Sequence, residues 1–148
     1  MRVLLTSYRE AAAFDGDARI GVYSAANWQP RGLTYPNADW AIPRTSDGKR
    51  IYISTYGGPS NYWPAMVDFF EAQSHTIAEW LNDLDTEYFV LACWCPYTRK
   101  AGEQLRDHGS FVCHTGPLGE VLSTFPGLEV VLDTDRLERM WTPLAQDA

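Results

Sequence analysis

The chain has 148 residues, 45% of them hydrophobic and 14% aromatic, which is enough for one full core, so a single domain over 1–148 is expected. Lys and Arg number 12 against 19 Asp and Glu, a formal charge of −7 whose field repels phosphate backbones and anionic lipid and so argues against extended nucleic-acid or membrane binding. The apolar opening stops at Thr6, no apolar run reaches membrane-spanning length, and 3 cysteines form no regular framework; these features predict a protein that stays in the cytoplasm.

Val3 to Tyr8 and Arg19 to Ser24 read as short strands, separated by an alanine-bearing segment closed by Asp15-Gly16-Asp17. Residues 26 to 50 lack any sustained period and carry Trp28, Pro30, Gly32, Pro36, Trp40, Pro43 and Ser46-Asp47-Gly48. This predicts a long irregular, aromatic-rich loop, of the kind that lines binding sites or covers a core. A short extended piece is expected at Ile51 to Thr55. Pro64 is expected to open the longest helix, with Met66, Phe70, Ile77, Leu81 and Leu84 as its inner stripe. His75 on that helix is expected to be solvated.

Tyr88 to Cys93 is a continuous apolar run of strand length, as a central strand covered on both faces requires. Pro96 is placed to open a helix through Ala101 and Leu105 to a cap at Gly109, after which Phe111-Val112-Cys113 returns to the sheet. Leu118, Val121, Leu122 and Phe125 predict a further helix with Thr115 as N-cap and Pro126-Gly127 as its stop. A last strand over Leu128 to Leu132 and a helical tail around Leu137 to Trp141 complete the pattern. Strands alternating with helices predict an α/β domain with a mainly parallel, open, Rossmann-like sheet flanked by helices.

Chemistry concentrates in Cys93-Trp94-Cys95-Pro96-Tyr97-Thr98 and Cys113-His114-Thr115-Gly116, which hold every cysteine and one of 3 histidines. In a parallel α/β sheet both segments reach the carboxyl edge, where ligands of such sheets bind. A helix beginning near Gly116 aims free N–H groups and its positive dipole end beside His114, favouring an anion and a thiolate at Cys113. Cys93 itself reads as a small buried hydrophobe. The residue types suit zinc, but their spacing departs from the usual Cys pairs; neither a metal nor a cofactor is expected. Asp133 and Asp135 read as caps, and Gly57-Gly58-Pro59-Ser60 as a turn.

Thr6-Ser7-Tyr8, Ser24, Val90-Leu91-Ala92-Cys93-Trp94 and Phe111-Val112-Cys113-His114 together resemble the bacterial and phage family catalogued as domain of unknown function 488. Cys95 stands where that family has an acidic residue, and Thr115 where it has an arginine. The resemblance implies a small α/β fold with a pocket near the Cys-His pair. Trp94-Cys95-Pro96-Tyr97-Thr98 also looks like the active-site turn of glutaredoxins, with Thr98 at the position of their second cysteine or serine.

Trp28, Tyr35 and Trp40 could stack on a base, and Ser7, Tyr8 and Ser24 at strand ends offer polar donors, the usual form of a small-molecule site. The leading expectation is a protein that binds, and as an enzyme would process, a small anionic or nucleotide-like molecule. Its site would comprise Cys113 and His114 with Ser7, Tyr8, Ser24, Trp28, Thr115 and Gly116. One alternative is a thiol oxidoreductase using Cys95. The other is a non-catalytic interaction protein, such as a phage-encoded inhibitor, whose acidic surface meets a protein partner.

Overall fold

The structure, a computed structural model, describes residues 1–26, 28–49, 51, 59–93 and 115–131. Four strands, β1 (Arg2–Ser7), β2 (Ile20–Ser24), β3 (Tyr88–Cys93) and β4 (Glu129–Val131), form one parallel sheet in the order β2-β3-β1-β4. The helices among the described residues are α1 (Tyr8–Ala11), α2 (Pro59–Glu71), α3 (Ser74–Asp83) and α4 (Thr115–Leu122). The expected parallel α/β architecture is therefore present. The uninterrupted apolar run of β3 is explained by its place between β1 and β2.

Alternation along the strands divides the core into two layers. Val3, Leu5, Phe89, Leu91 and Cys93 join Met66, Phe70, Ile77, Leu118 and Leu122 from α2, α3 and α4. Leu4, Ile20, Val90, Ala92 and Val131 join Tyr8, Ala11 and Phe14 from α1 and the 3-10 turn Ala12–Phe14 on the opposite face. The chain crosses from β1 past β3 to β2 by way of α1, then returns across the sheet with α2, α3 and α4 on the other face. Reversing both direction and face keeps one hand of crossover, as parallel βαβ units require.

The helical stripe after the long loop is not one helix opened by Pro64. α2 begins at Pro59, and Pro64 sits inside it, exposed, where it removes one rung of the hydrogen-bond ladder. Tyr62, Met66 and Phe70 at four-residue spacing hold this helix to the sheet regardless. Ala72 N–H still reaches Asp68 O at 3.0 Å, but Gln73 N–H shifts to Phe70 O at 3.0 Å, and Gln73 donates from Nε2 to the Trp40 carbonyl at 3.1 Å, holding the junction with α3. Ile77 carries the stripe into α3, where His75 is exposed and pairs with Glu79 at 2.9 Å.

The long loop is irregular but tethered. Ser24 N–H donates to Pro36 O at 2.8 Å and Ala38 N–H to Ser24 O at 2.9 Å, so the chain returns to the end of β2 before the 3-10 turn Asp39–Ala41. Thr115 is the first residue of α4 rather than a residue preceding it. Gly127, with φ of 77°, makes the turn into β4 that the Pro-Gly pair predicts. The turn expected over Gly57-Gly58-Pro59-Ser60 is corrected at its second half, since Pro59 and Ser60 open α2; residues 57–58, the extended piece beyond Ile51, the helix after Pro96, the strand at 111–113, Asp133, Asp135 and the tail lie outside the described residues.

An aromatic file locks β2 to the helical layer. Trp80 of α3 meets Tyr23 edge-on at 4.8 Å, Trp40 at 5.3 Å and Phe89 at 5.4 Å between ring centroids. Tyr23 lies back along its own strand, so that a Cβ on Gly21 would come within 2.7 Å of Tyr23 Cε2. Gly21→Ala is predicted to push that ring off Trp80 and lower stability by about 1–3 kcal/mol, read as a loss of urea-unfolding free energy.

Candidate functional site

The carboxyl ends of three strands are level. Ser7 is in register with Cys93, and Ser24 with Ala92. In this parallel order α4 must descend from the carboxyl edge to reach β4, which directs its first residues, Thr115 and Gly116, toward that edge. Trp63 of α2 fixes α4 laterally by donating from Nε1 to Glu120 at 2.6 Å.

Four hydroxyls at this edge are committed to the fold. Ser7 caps α1, its Oγ accepting the Glu10 N–H at 3.4 Å, while the Glu10 carboxylate accepts the Thr6 hydroxyl at 2.7 Å. Ser7-Tyr8-Arg9-Glu10 is the Ser-x-x-Glu sequence of a capping box, a signal that places a helix start at Ser7. Tyr8 is 3% exposed, and its hydroxyl lies 2.6 Å from Ser24 Oγ in the buried layer. Burial raises the Tyr8 pKa, the Ser24 bond partly opposes this, and nearby Cys93 adds to the rise. Cys93 is a buried thiol in the core, as its sequence context predicts.

The aromatic residues of the loop divide into three roles. Trp40 is 4% exposed and belongs to the core, with its indole N–H unpaired among the described residues; it does not line an open site. Tyr35 is a clamp: its N–H donates to Gln29 Oε1 at 2.9 Å and its hydroxyl to Asp15 Oδ1 at 2.6 Å. Burial, together with the Asp15 bond and charge, pushes the Tyr35 hydroxyl up to about 12. Trp28 is 74% exposed, while its carbonyl faces the Tyr8 hydroxyl at 3.3 Å. The indole that can meet a ligand is therefore rooted at the carboxyl edge.

The structure thus brings Ser7, Tyr8, Ser24 and the Trp28 carbonyl to one sheet edge, whereas α4, which Thr115 and Gly116 open, packs on the face opposite Tyr8. Cys95, Cys113 and His114 lie outside the described residues. Sequence reasoning did not assign Glu10, Gln29 or Asp15, whose roles come from tertiary contacts, apart from the capping signal at Glu10. The depressions formed by described residues lie elsewhere. One of about 460 Å³ is lined by Arg2, Glu87, Tyr88 and Glu129, and one of about 400 Å³ by Arg19, Asp85 and Thr86, both at the amino ends of the strands. In the first, Arg2 is already paired with Glu129 at 3.1 Å.

Among the described residues no helix is long and apolar enough to cross a membrane, and no group of His, Cys, Asp and Glu is placed to hold a metal. No family model, curated protein or solved structure matches this chain.

Two measurements follow from this division of roles. Trp28→Ala should change unfolding free energy by less than about 0.5 kcal/mol, whereas Trp40→Ala should cost about 3–5 kcal/mol. For Tyr35, the folded pKa lies above the unfolded value of 10.0, so its contribution is complete below pH 10.0 and lost as pH rises toward about 12. Tyr35→Phe should reduce the fall in thermal midpoint across that window, leaving the smaller part due to Tyr8 and Tyr23, whose pKa values are also raised by burial.

Proposed function

We propose that this protein binds a small anionic, nucleotide-like molecule at the carboxyl edge of its sheet, with Cys113 and His114 at the centre of the site. The observation that carries the reading is the topology around β1 and β3. These neighbours are in register at Ser7 and Cys93, yet α1 follows β1 on one face, whereas α4, on the return from β3, covers the other. Adjacent strands whose connections leave to opposite faces open a crevice outside their carboxyl ends, the usual ligand position in open α/β sheets.

The chemistry at that crevice fits the ligand class. The first turn of α4, whose Pro117 has no N–H to donate, brings a positive dipole end and the remaining backbone N–H groups, suited to a phosphate or carboxylate. Trp28 supplies an exposed aromatic face for a planar ring. Cys113 and His114 immediately precede α4, where the same field favours a thiolate and where imidazole can exchange a proton near neutral pH. The motif resemblance to the domain of unknown function 488 family adds weight to the Cys-His segment in particular.

Cysteine footprinting tests this reading. At about pH 6.5, brief iodoacetamide exposure followed by mass spectrometry should label Cys113 faster than a free thiol of pKa about 8.5, with adenosine monophosphate or inorganic phosphate protecting it. Cys93 should remain unlabelled. Fast, ligand-indifferent labelling of Cys95 would instead favour the thiol oxidoreductase reading, and uniformly slow labelling would remove the thiolate from the mechanism.

A further inference from the structure

Between α3 and the turn that links α4 to β4 lies a groove of about 180 Å³, walled by Met1, Ala78, Leu81, Asn82, Phe125 and Leu128. It opens at the amino ends of the strands, since Met1 precedes β1 and Leu128 precedes β4, and so stands apart from the carboxyl edge. Met1 is 41% exposed; it and Trp28 are the exposed large hydrophobic residues among those described. Small-molecule pockets run to about 300–1,000 Å³, so this groove is sized for a single apolar side chain.

The charge around it has one sign. Residues 59–93, which build α2, α3 and β3, hold Asp68, Glu71, Glu79, Asp83, Asp85 and Glu87 but no Lys or Arg, and residues 115–131 hold Glu120 and Glu129 and again neither. Of the nearby groups able to carry positive charge, Arg2 pairs with Glu129 at 3.1 Å, His75 pairs with Glu79 at 2.9 Å, and the Met1 amine donates to Gly127 O at 3.0 Å. Ala78 and Asn82 line the groove, and Glu79 and Asp83 form the next stripe around α3, both exposed, with Asp85 exposed just beyond. α3 ends at Asp83 with no basic residue in its last turn, so a carboxylate stands at the negative end of the helix dipole, where a cation is the stabilising choice. A partner's Lys or Arg would supply that cation.

We propose that this groove docks a basic segment of another protein, one apolar side chain seated in it and flanking Lys or Arg meeting Glu79, Asp83 and Asp85. Charge complementarity selects this occupant. A second copy of the chain brings a like charge of −7, and phosphate-bearing partners are repelled by the same field. The apolar anchor supplies affinity, and the acidic rim supplies speed of encounter and a dependence on salt.

The test is amide shift mapping of the full chain titrated with a short synthetic peptide that holds one Leu between pairs of Lys. Perturbations should centre on Ala78, Leu81, Asn82, Phe125 and Leu128 and weaken as salt is raised, and replacing the peptide's Leu by Ala should weaken binding by about tenfold or more. Asp83→Lys should raise the thermal midpoint, by relieving the helix end, while weakening the peptide by about threefold or more. Shifts spread over the whole acidic surface and indifferent to the Leu would mean charge attraction alone and overturn the proposal. So would an unperturbed groove, or groove shifts that depend on protein concentration without peptide, the mark of a second copy. Should Asp83→Lys fail to fold, the wild-type chain decides: a peptide with Glu in place of Lys should leave the groove unperturbed, and equal binding of the two peptides ends the proposal.

Discussion

Everything else in this fold depends on the pairing of β1 with β3 as parallel strands covered on both faces. Leu4, Leu5, Phe89, Val90 and Leu91 are all fully buried, so polar side chains have no place along the middle of either strand. Polarity begins where the strands end, at Thr6, Ser7 and Ser24, and the register makes those ends coincide. The same constraint forces each connection to run as a covering element on one face or the other, which places α1 and α4 on opposite faces. The polar strand ends at the carboxyl edge are therefore a consequence of burying β1 and β3, not an addition to the fold.

What that edge offers a ligand differs from a simple count of its hydroxyls. Ser7 is occupied as a helix cap, and Tyr8 and Ser24 are paired out of solvent. A buried hydroxyl that leaves its partner costs about 1–3 kcal/mol, more than one new bond to a small molecule returns, so these groups shape the edge rather than grip the ligand. Under the proposed reading, recognition falls to the exposed Trp28 indole, the start of α4 and the Cys113-His114 sequence before it. The loop that bears Trp28 is tied down by Pro36 and Ala38 at the end of β2 and by the Tyr35 clamp. These tethers limit the ordering entropy that the loop backbone would lose on binding.

Patterns confined to one element were readable from the residues. The unbroken run Tyr88 to Cys93 announced a doubly covered strand, Pro126-Gly127 announced the turn into β4 although α4 already ends at Leu122, and Cys93 read correctly as core. Errors arose where tertiary contacts overrule local preference. Pro64 resembles a helix opener, yet Tyr62, Met66 and Phe70 bury enough surface to carry the helix through it from Pro59. The bend at Gln73 is held by a carbonyl of Trp40, far away in sequence, which no window on α2 and α3 reveals. Trp28 and Trp40 are chemically alike and sit in the same loop; only packing against Trp80 separates the core tryptophan from the exposed one. For the site, the sequence indicated the edge and its strand-end hydroxyls, but not that those hydroxyls would be consumed by one another.

Amide ¹H–¹⁵N shift mapping on titration with adenosine monophosphate tests the central claim most directly, because the carboxyl edge and the amino-end depressions lie at opposite ends of the strands. The account predicts that perturbations concentrate at Tyr8, Ala25, Trp28, Thr115 and Gly116. Perturbations centred instead on Arg2, Glu87, Tyr88 and Glu129, around the depression of about 460 Å³, would contradict it.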